Sequence, residues 1–248
     1  MTMIDDKLQS VRARIAAACE AAGRSAGDVA LLAVSKTFGP EAVREAHAAG
    51  QGAFGENYIQ EAVEKIALLR DLPIEWHCIG PIQSNKTRLV AENFAWAHTV
   101  DRLKIAQRLS EQRPEALAPL QVCIQVNIDG GNTKSGVAPQ EALALALQVA
   151  RLPRLKLRGL MTIPEPQEGF AAQKAVHAKA RGVFDEWQAA GLDVDTLSMG
   201  MTGDLEAAVA AGSTMVRVGT AIFGGRINQS PPPLAQGSSR FPPPLGEG

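Results

Sequence analysis

The chain has 248 residues, 46% of them hydrophobic, which is enough for one large domain with a substantial core and excludes a disordered polymer. A formal net charge of −1 excludes a general electrostatic pull toward nucleic acid or an anionic membrane. Three cysteines (Cys19, Cys78, Cys123) without a CxxC pair, and four histidines (His47, His77, His98, His177) at no ligand spacing, argue against a disulfide framework and a metal centre and suit a reduced, cytoplasmic setting.

The first twenty residues carry charges in every turn, unlike a signal peptide, and no run approaches the roughly 18 apolar residues of a membrane span. Ile4, Leu8, Val11, Ile15 and Ala18 recur at helical spacing and predict an amphipathic helix over 3–22. From residue 29 short apolar runs alternate with helical stretches. The predicted strands are 29–36, 52–57, 74–80, 94–100, 120–128, 155–163, 196–200 and 214–219. The segment PEAVREAHAAG shows the helical type, with Pro40 in the first turn and Gly50 as the stop. Alternation of this kind implies a parallel sheet, and eight units in one domain point to a closed (β/α)₈ TIM barrel over an open doubly wound sheet. The barrel domain is expected over 1–226. Residues 227–248, with two proline triplets and no apolar period, are expected to form a disordered Pro-rich tail, read as an unselected extension rather than a proline-motif ligand.

Chemistry in such a barrel sits at the carboxyl ends of the strands. Lys36 closes the run LLAVS, with Leu32 and Val34 on its own side of the strand. If that side faces the bore, the amine stands over an apolar floor, and a desolvated neutral amine is the form that attacks an aldehyde. The competing reading is a lysine that simply reaches solvent where a strand ends. The runs SMGMTGD and RVGTAIFGG follow strands seven and eight, the usual phosphate cradle of this fold. Glycines there admit backbone N–H groups to an anion, and Ser198, Thr202 and Thr220 add hydroxyls beside Gly219; ordinary turn glycines with capping hydroxyls are the plainer reading. Arg217 lies inside the apolar strand TMVRVG and needs a partner, either a neighbouring carboxylate or a ligand. Together these residues describe a site for a phosphorylated carbonyl compound, leaving a sugar phosphate and pyridoxal phosphate both open.

The motifs AVSKTFGPEAVREAHAAG, FGENYIQEAVEK, WHCIGPIQSNKTRLV, RLKLRGLMTIP and LSMGMTGDLEAAVAAGSTMVRVGTAIFG resemble the pyridoxal phosphate homeostasis protein family, barrel-only relatives of the alanine racemase N-terminal domain, over roughly residues 5–226. The resemblance implies pyridoxal 5′-phosphate held as a Schiff base on Lys36, its phosphate on Ser198, Thr202 and the Gly219–Thr220 backbone, and Arg217 near the pyridine nitrogen. It also makes Asn57, His77 and Ile79 pocket lining. The family usually has Ser where this chain has Thr202, which keeps the hydroxyl. Lys134 is a second lysine at a strand end, read either as a group that handles a moving cofactor or as a solvated loop lysine; Lys86 is left outside the site.

Racemases of this fold add a second domain and an opposing tyrosine. Here Tyr58 is the single tyrosine and no second domain is expected after residue 226. Proton transfer on both faces of a carbanion needs a partner opposite the lysine, so intracellular homeostasis of the cofactor (storage, regulation, or delivery with pyridoxal-phosphate-dependent apo-enzymes as candidate recipients) is expected in place of catalysis, with weak racemase activity as the alternative. A monomer is expected.

Overall fold

The computed structural model describes residues 2–131 and 135–225; Lys134 and the Pro-rich tail lie outside the described residues. The predicted first helix is α1 (Met3–Ala21), capped by the Thr2 hydroxyl and carrying Asp5 and Asp6 in its first turn. Then follow β1 (Ala30–Val34), α2 (Pro40–Ala48), β2 (Ala53–Glu56), α3 (Ile59–Leu68), β3 (Glu75–Cys78), α4 (Thr87–Asn93), β4 (Trp96–Val100), α5 (Leu103–Gln112), β5 (Leu120–Gln125), α6 (Pro139–Val149), β6 (Leu155–Met161), α7 (Phe170–Ala189), β7 (Thr196–Ser198), α8 (Leu205–Ala210), β8 (Met215–Val218) and α9 (Thr220–Phe223).

All eight strands pair in parallel in chain order, and β8 returns to β1, so the sheet closes into a barrel. Closure leaves no sheet edge exposed. Each strand lies inside the run that predicts it. The runs overshoot the strands by a few residues, Ser35 and Lys36 after β1 and Met199 and Gly200 after β7 among them.

Strand alternation divides the residues between two environments. Outward residues such as Ala33, Phe54, Trp76, Ala97, Val122, Leu160, Leu197 and Val216 join the helices in one large apolar cluster. The bore holds two smaller ones, Leu32, Val34, Ile79 and Met215 on one side and Trp96, Cys123 and Met161 on the other. Between these apolar groups the bore carries His77, His98, Ser198 and Arg217, all buried. Barrel interiors are ordinarily filled by branched aliphatic side chains, so this polar column calls for an explanation.

Candidate functional site

A cavity of about 360 Å³ opens at the carboxyl ends of the strands, within the range of small-molecule sites. Lys36, Asn57, Ile79, Thr202, Arg217, Gly219 and Thr220 line it, together with Val34, Thr37 and Met201. Seven of the nine expected site residues thus share one surface; Ser198 and His77 do not.

Lys36 follows β1, with Leu32 and Val34 turned into the bore against Ile79 and Met215. The apolar floor expected from the run LLAVS is therefore present. Among the described residues the Lys36 amine has no hydrogen-bond or ion-pair partner. Its backbone is fixed from behind: Ser35 donates to Glu56 Oε1 at 2.6 Å, and Lys65 of α3 donates to the same oxygen at 2.6 Å and to the Ser35 carbonyl at 3.0 Å. Burial pushes the Glu56 carboxyl up while Lys65 pulls against it. A buried pair of this kind adds little net stability but specifies a geometry. Thr37, next in the chain, has φ 68, a left-handed conformation that costs a β-branched residue on the order of 1–3 kcal/mol. That strain sits at the cavity wall.

Asn57 follows β2, with its Oδ1 buried and without a partner among the described residues. Gly80 lets the β3 end pass directly over it: a Cβ at Gly80 would stand 1.9 Å from the Asn57 carbonyl oxygen.

The opposite wall is the cradle after β7 and β8. Asp204 accepts from the Met201 N–H at 2.7 Å and pairs with His177 Nε2 of α7 at 2.8 Å. Burial works to raise the Asp204 carboxyl, but these two hydrogen bonds hold it below its usual range. Arg14 of α1 donates to the Thr202 carbonyl at 2.8 Å and grips Glu206 with two nitrogens. The loop carrying Thr202 and Gly203 is therefore clamped from outside the barrel. Gly219 caps α9, so the first N–H groups of that turn have no partner within it and remain for an anion. A Cβ on Gly219 would meet the Val34 carbonyl at 3.0 Å.

Arg217 forms part of the floor. Its Nη1 donates to Ser198 Oγ and its Nη2 to the Thr162 carbonyl, each at 2.8 Å. Burial pulls the guanidinium down to about 10, so it stays a cation at neutral pH. Of the two partners considered for it, a carboxylate at ion-pair distance is absent among the described residues.

Two expectations are corrected. Ser198, expected to hold phosphate, is fully buried beneath the cavity, its oxygen bound to Arg217 and to His98 Nδ1 at 3.0 Å. The reason is register: Ser198 still belongs to β7, paired with Met215, and the cradle loop begins only after it. His77, expected as lining, is buried in the bore between Glu75 and His98 and stacks on Trp96; of that stretch only Ile79 reaches the cavity. His98, His177, Asp204, Arg14 and the Ser35–Glu56–Lys65 group lie outside the sequence-based expectations. Alternation in FAWAHTV puts His98 on the face of Trp96, but which face points inward depends on pairing with β3.

An unpaired amine, a glycine- and hydroxyl-lined cradle, a buried cation and an orphaned carboxamide oxygen suit an anionic carbonyl compound with a polar ring substituent. Residues 7–227 match the model of the family described as "Alanine racemase, N-terminal domain". The chain belongs to that family. It is 58% identical over 231 residues to the pyridoxal phosphate homeostasis protein of Pseudomonas aeruginosa, covering 93% of this chain and 99% of the relative. The structure of PipY from Synechococcus elongatus with PLP bound is 39% identical with a TM-score of 0.77, covering 89% of this chain and all of that one. Alanine racemase of Clostridium difficile shares the fold alone, at 14% identity and a TM-score of 0.64, and the match covers 54% of its length.

Proposed function

We propose that this protein binds pyridoxal 5′-phosphate on Lys36 as a Schiff base and serves the intracellular homeostasis of that cofactor, holding it for pyridoxal-phosphate-dependent apo-enzymes. The observation that carries the reading is a single cavity faced on one side by the unpaired Lys36 amine and on the other by the β7 and β8 loops. The amine adds to the aldehyde carbon, water leaves, and a carbon–nitrogen double bond remains. Thr202, Thr220 and the Gly219–Ala221 backbone would hold the phosphate. Asn57 and Arg217 would meet the polar edge of the ring.

Bound cofactor supplies an electron sink for carbanion chemistry. The residues here are poorly arranged to exploit it. Lys36 and Arg217 are the only titratable side chains among the described residues that line the cavity. Arg217 keeps its proton at neutral pH, and a cation beside the ring nitrogen disfavours a second positive charge there. Tyr58 is half exposed and not part of the cavity wall. Racemisation needs proton transfer on both faces, and among the described residues that line the cavity no second group is placed to perform it. This supports storage and delivery, which we assign to a cytoplasmic monomer. No described helix is long and apolar enough to cross a membrane.

The test is an absorption spectrum of the protein loaded with pyridoxal 5′-phosphate, with Lys36→Ala beside it. A visible band present in the parent and lost in the variant is expected, without exchange of the α-hydrogen of alanine in heavy water. A colourless parent contradicts cofactor binding. Exchange that depends on Lys36 contradicts the carrier role.

A further inference from the structure

Arg217 is a buried cation without a carboxylate at ion-pair distance among the described residues, yet its guanidinium is held in place. The Thr162 carbonyl holds one nitrogen, and what holds the other runs the length of the bore. Arg217 Nη1 meets Ser198 Oγ at 2.8 Å, Ser198 Oγ meets His98 Nδ1 at 3.0 Å, His98 Nε2 meets His77 Nδ1 at 2.9 Å, and His77 Nε2 meets Glu75 Oε1 at 2.9 Å. Each member comes from the inward face of a different strand, except that His77 and Glu75 share β3. The chain starts under the cavity and ends at a carboxylate whose side chain is 48% exposed at the amino ends of the strands. The Trp96 ring lies parallel to His77, 5.0 Å between centroids, and shields that link from water.

Donor and acceptor chemistry orients every bond. A carboxylate only accepts, so His77 Nε2 carries hydrogen. In a neutral His77 the Nδ1 is then an acceptor, which makes His98 Nε2 the donor and His98 Nδ1 an acceptor in turn. Ser198 must give its hydrogen to His98, leaving its lone pairs for Arg217. No hydrogen is left over and none is missing. Burial pushes both imidazoles down from their ordinary value, His98 well down, which is the neutrality this assignment requires. A charged His77 would reverse the His77–His98 and His98–Ser198 bonds, turn Ser198 into an acceptor from both sides and leave the Ser198 hydrogen without an acceptor in the chain.

We propose that Glu75, His77, His98 and Ser198 are positioning residues that aim Arg217 at the cavity through a one-directional hydrogen-bond chain anchored on a carboxylate at the far end of the barrel. The aligned dipoles place the donor end at the cation and the acceptor end at the anion, so the charge of Glu75 stabilises Arg217 across the bore without contact. Other charged groups at the far end are Arg158, stacked 4.7 Å over Trp96, and its partner Asp195. The hydrogen-bond assignment stands without any ligand; only its consequence for the cavity rests on the cofactor reading.

The first test is ¹⁵N NMR of the histidines in the full chain without ligand. Protonated Nε2 and bare Nδ1 are expected on both His77 and His98; a protonated Nδ1 on His98 overturns the proposal. The second compares Glu75→Gln, which still accepts from His77, with Glu75→Leu, which does not. Glu75→Leu is expected to disturb the His98 tautomer and raise the dissociation constant for pyridoxal 5′-phosphate about five- to tenfold, while Glu75→Gln keeps the tautomer and stays within about twofold. Equal affinity and unchanged tautomers in Glu75→Leu overturn the positioning role. If Glu75→Leu does not fold, the tautomers of the unmodified protein still decide. If the unmodified protein binds no pyridoxal 5′-phosphate, the cofactor reading fails, while the tautomers still decide whether the hydrogen-bond chain exists.

Discussion

In one part of the bore Leu32, Val34, Ile79 and Met215 pack beneath Lys36; between that group and the Trp96 group lie the buried His77, His98, Ser198 and Arg217. The apolar side offers the amine no partner and so leaves it free for an electrophile. The polar side surrounds a cation with donors and acceptors that match it one for one, and leaves it charged. Exchanging the two would disable both: a hydrogen-bonded lysine is a poor nucleophile, and an arginine over bare leucine has nothing to offset its desolvation. One barrel thus keeps a reactive group and a fixed charge facing a common cavity by sorting the inward residues of different strands.

The sharpest way to break this contrast is to cut into each side. Leu32→Ala, at a fully buried site, is expected to cost about 3 kcal/mol in denaturant unfolding, as a new core cavity usually does. His98→Leu keeps volume but strips Ser198 of its acceptor and His77 of its donor, and is expected to cost about 2 kcal/mol; a cost near zero would show that the polar column is dispensable for folding.

Acid sharpens the difference further. Both histidines sit below their ordinary 6.5 because burial opposes the charged form. Below that pH the unfolded chain binds protons that the folded one refuses, so the histidine contribution is complete above about pH 6.5 and is lost as pH falls toward the folded values, by up to about 1.4 kcal/mol per unit for each histidine. Glu56, raised by burial, acts in the opposite sense on the acid side. The useful quantity is therefore the difference in calorimetric midpoint between the parent and His98→Asn from pH 7 to 5: the parent should lose stability faster. The smallest effect is expected at Lys36 itself. Lys36→Ala removes an amine that bonds to nothing described, and stability should change by only about 0.5 kcal/mol.

Much of the fold was legible because alternating apolar runs and helical stretches report local periodicity, and each of the eight strands left its own signature. The position of Lys36, Thr202, Gly219 and Thr220 at the cavity was legible for a related reason: residues just past the carboxyl end of a barrel strand stand at the mouth. Ser198 and His77 were misplaced because their depth depends on where a strand stops and which neighbour it pairs with. His98 became part of the polar column only through the register that sets His77 against Trp96. The Lys65–Glu56–Ser35 group and the clamp of Arg14 on the Thr202 loop join residues far apart in the chain, 188 positions in the latter case, and no local pattern signals such contacts.

Which nitrogen carries the cofactor decides the rest. Treating the protein loaded with pyridoxal 5′-phosphate with borohydride and mapping the modified peptide by mass spectrometry tests this directly. The reduced adduct should fall on Lys36, in the peptide spanning residues 25–44, and should vanish in Lys36→Ala. An adduct on another lysine, or none at all, would contradict the assignment of this cavity.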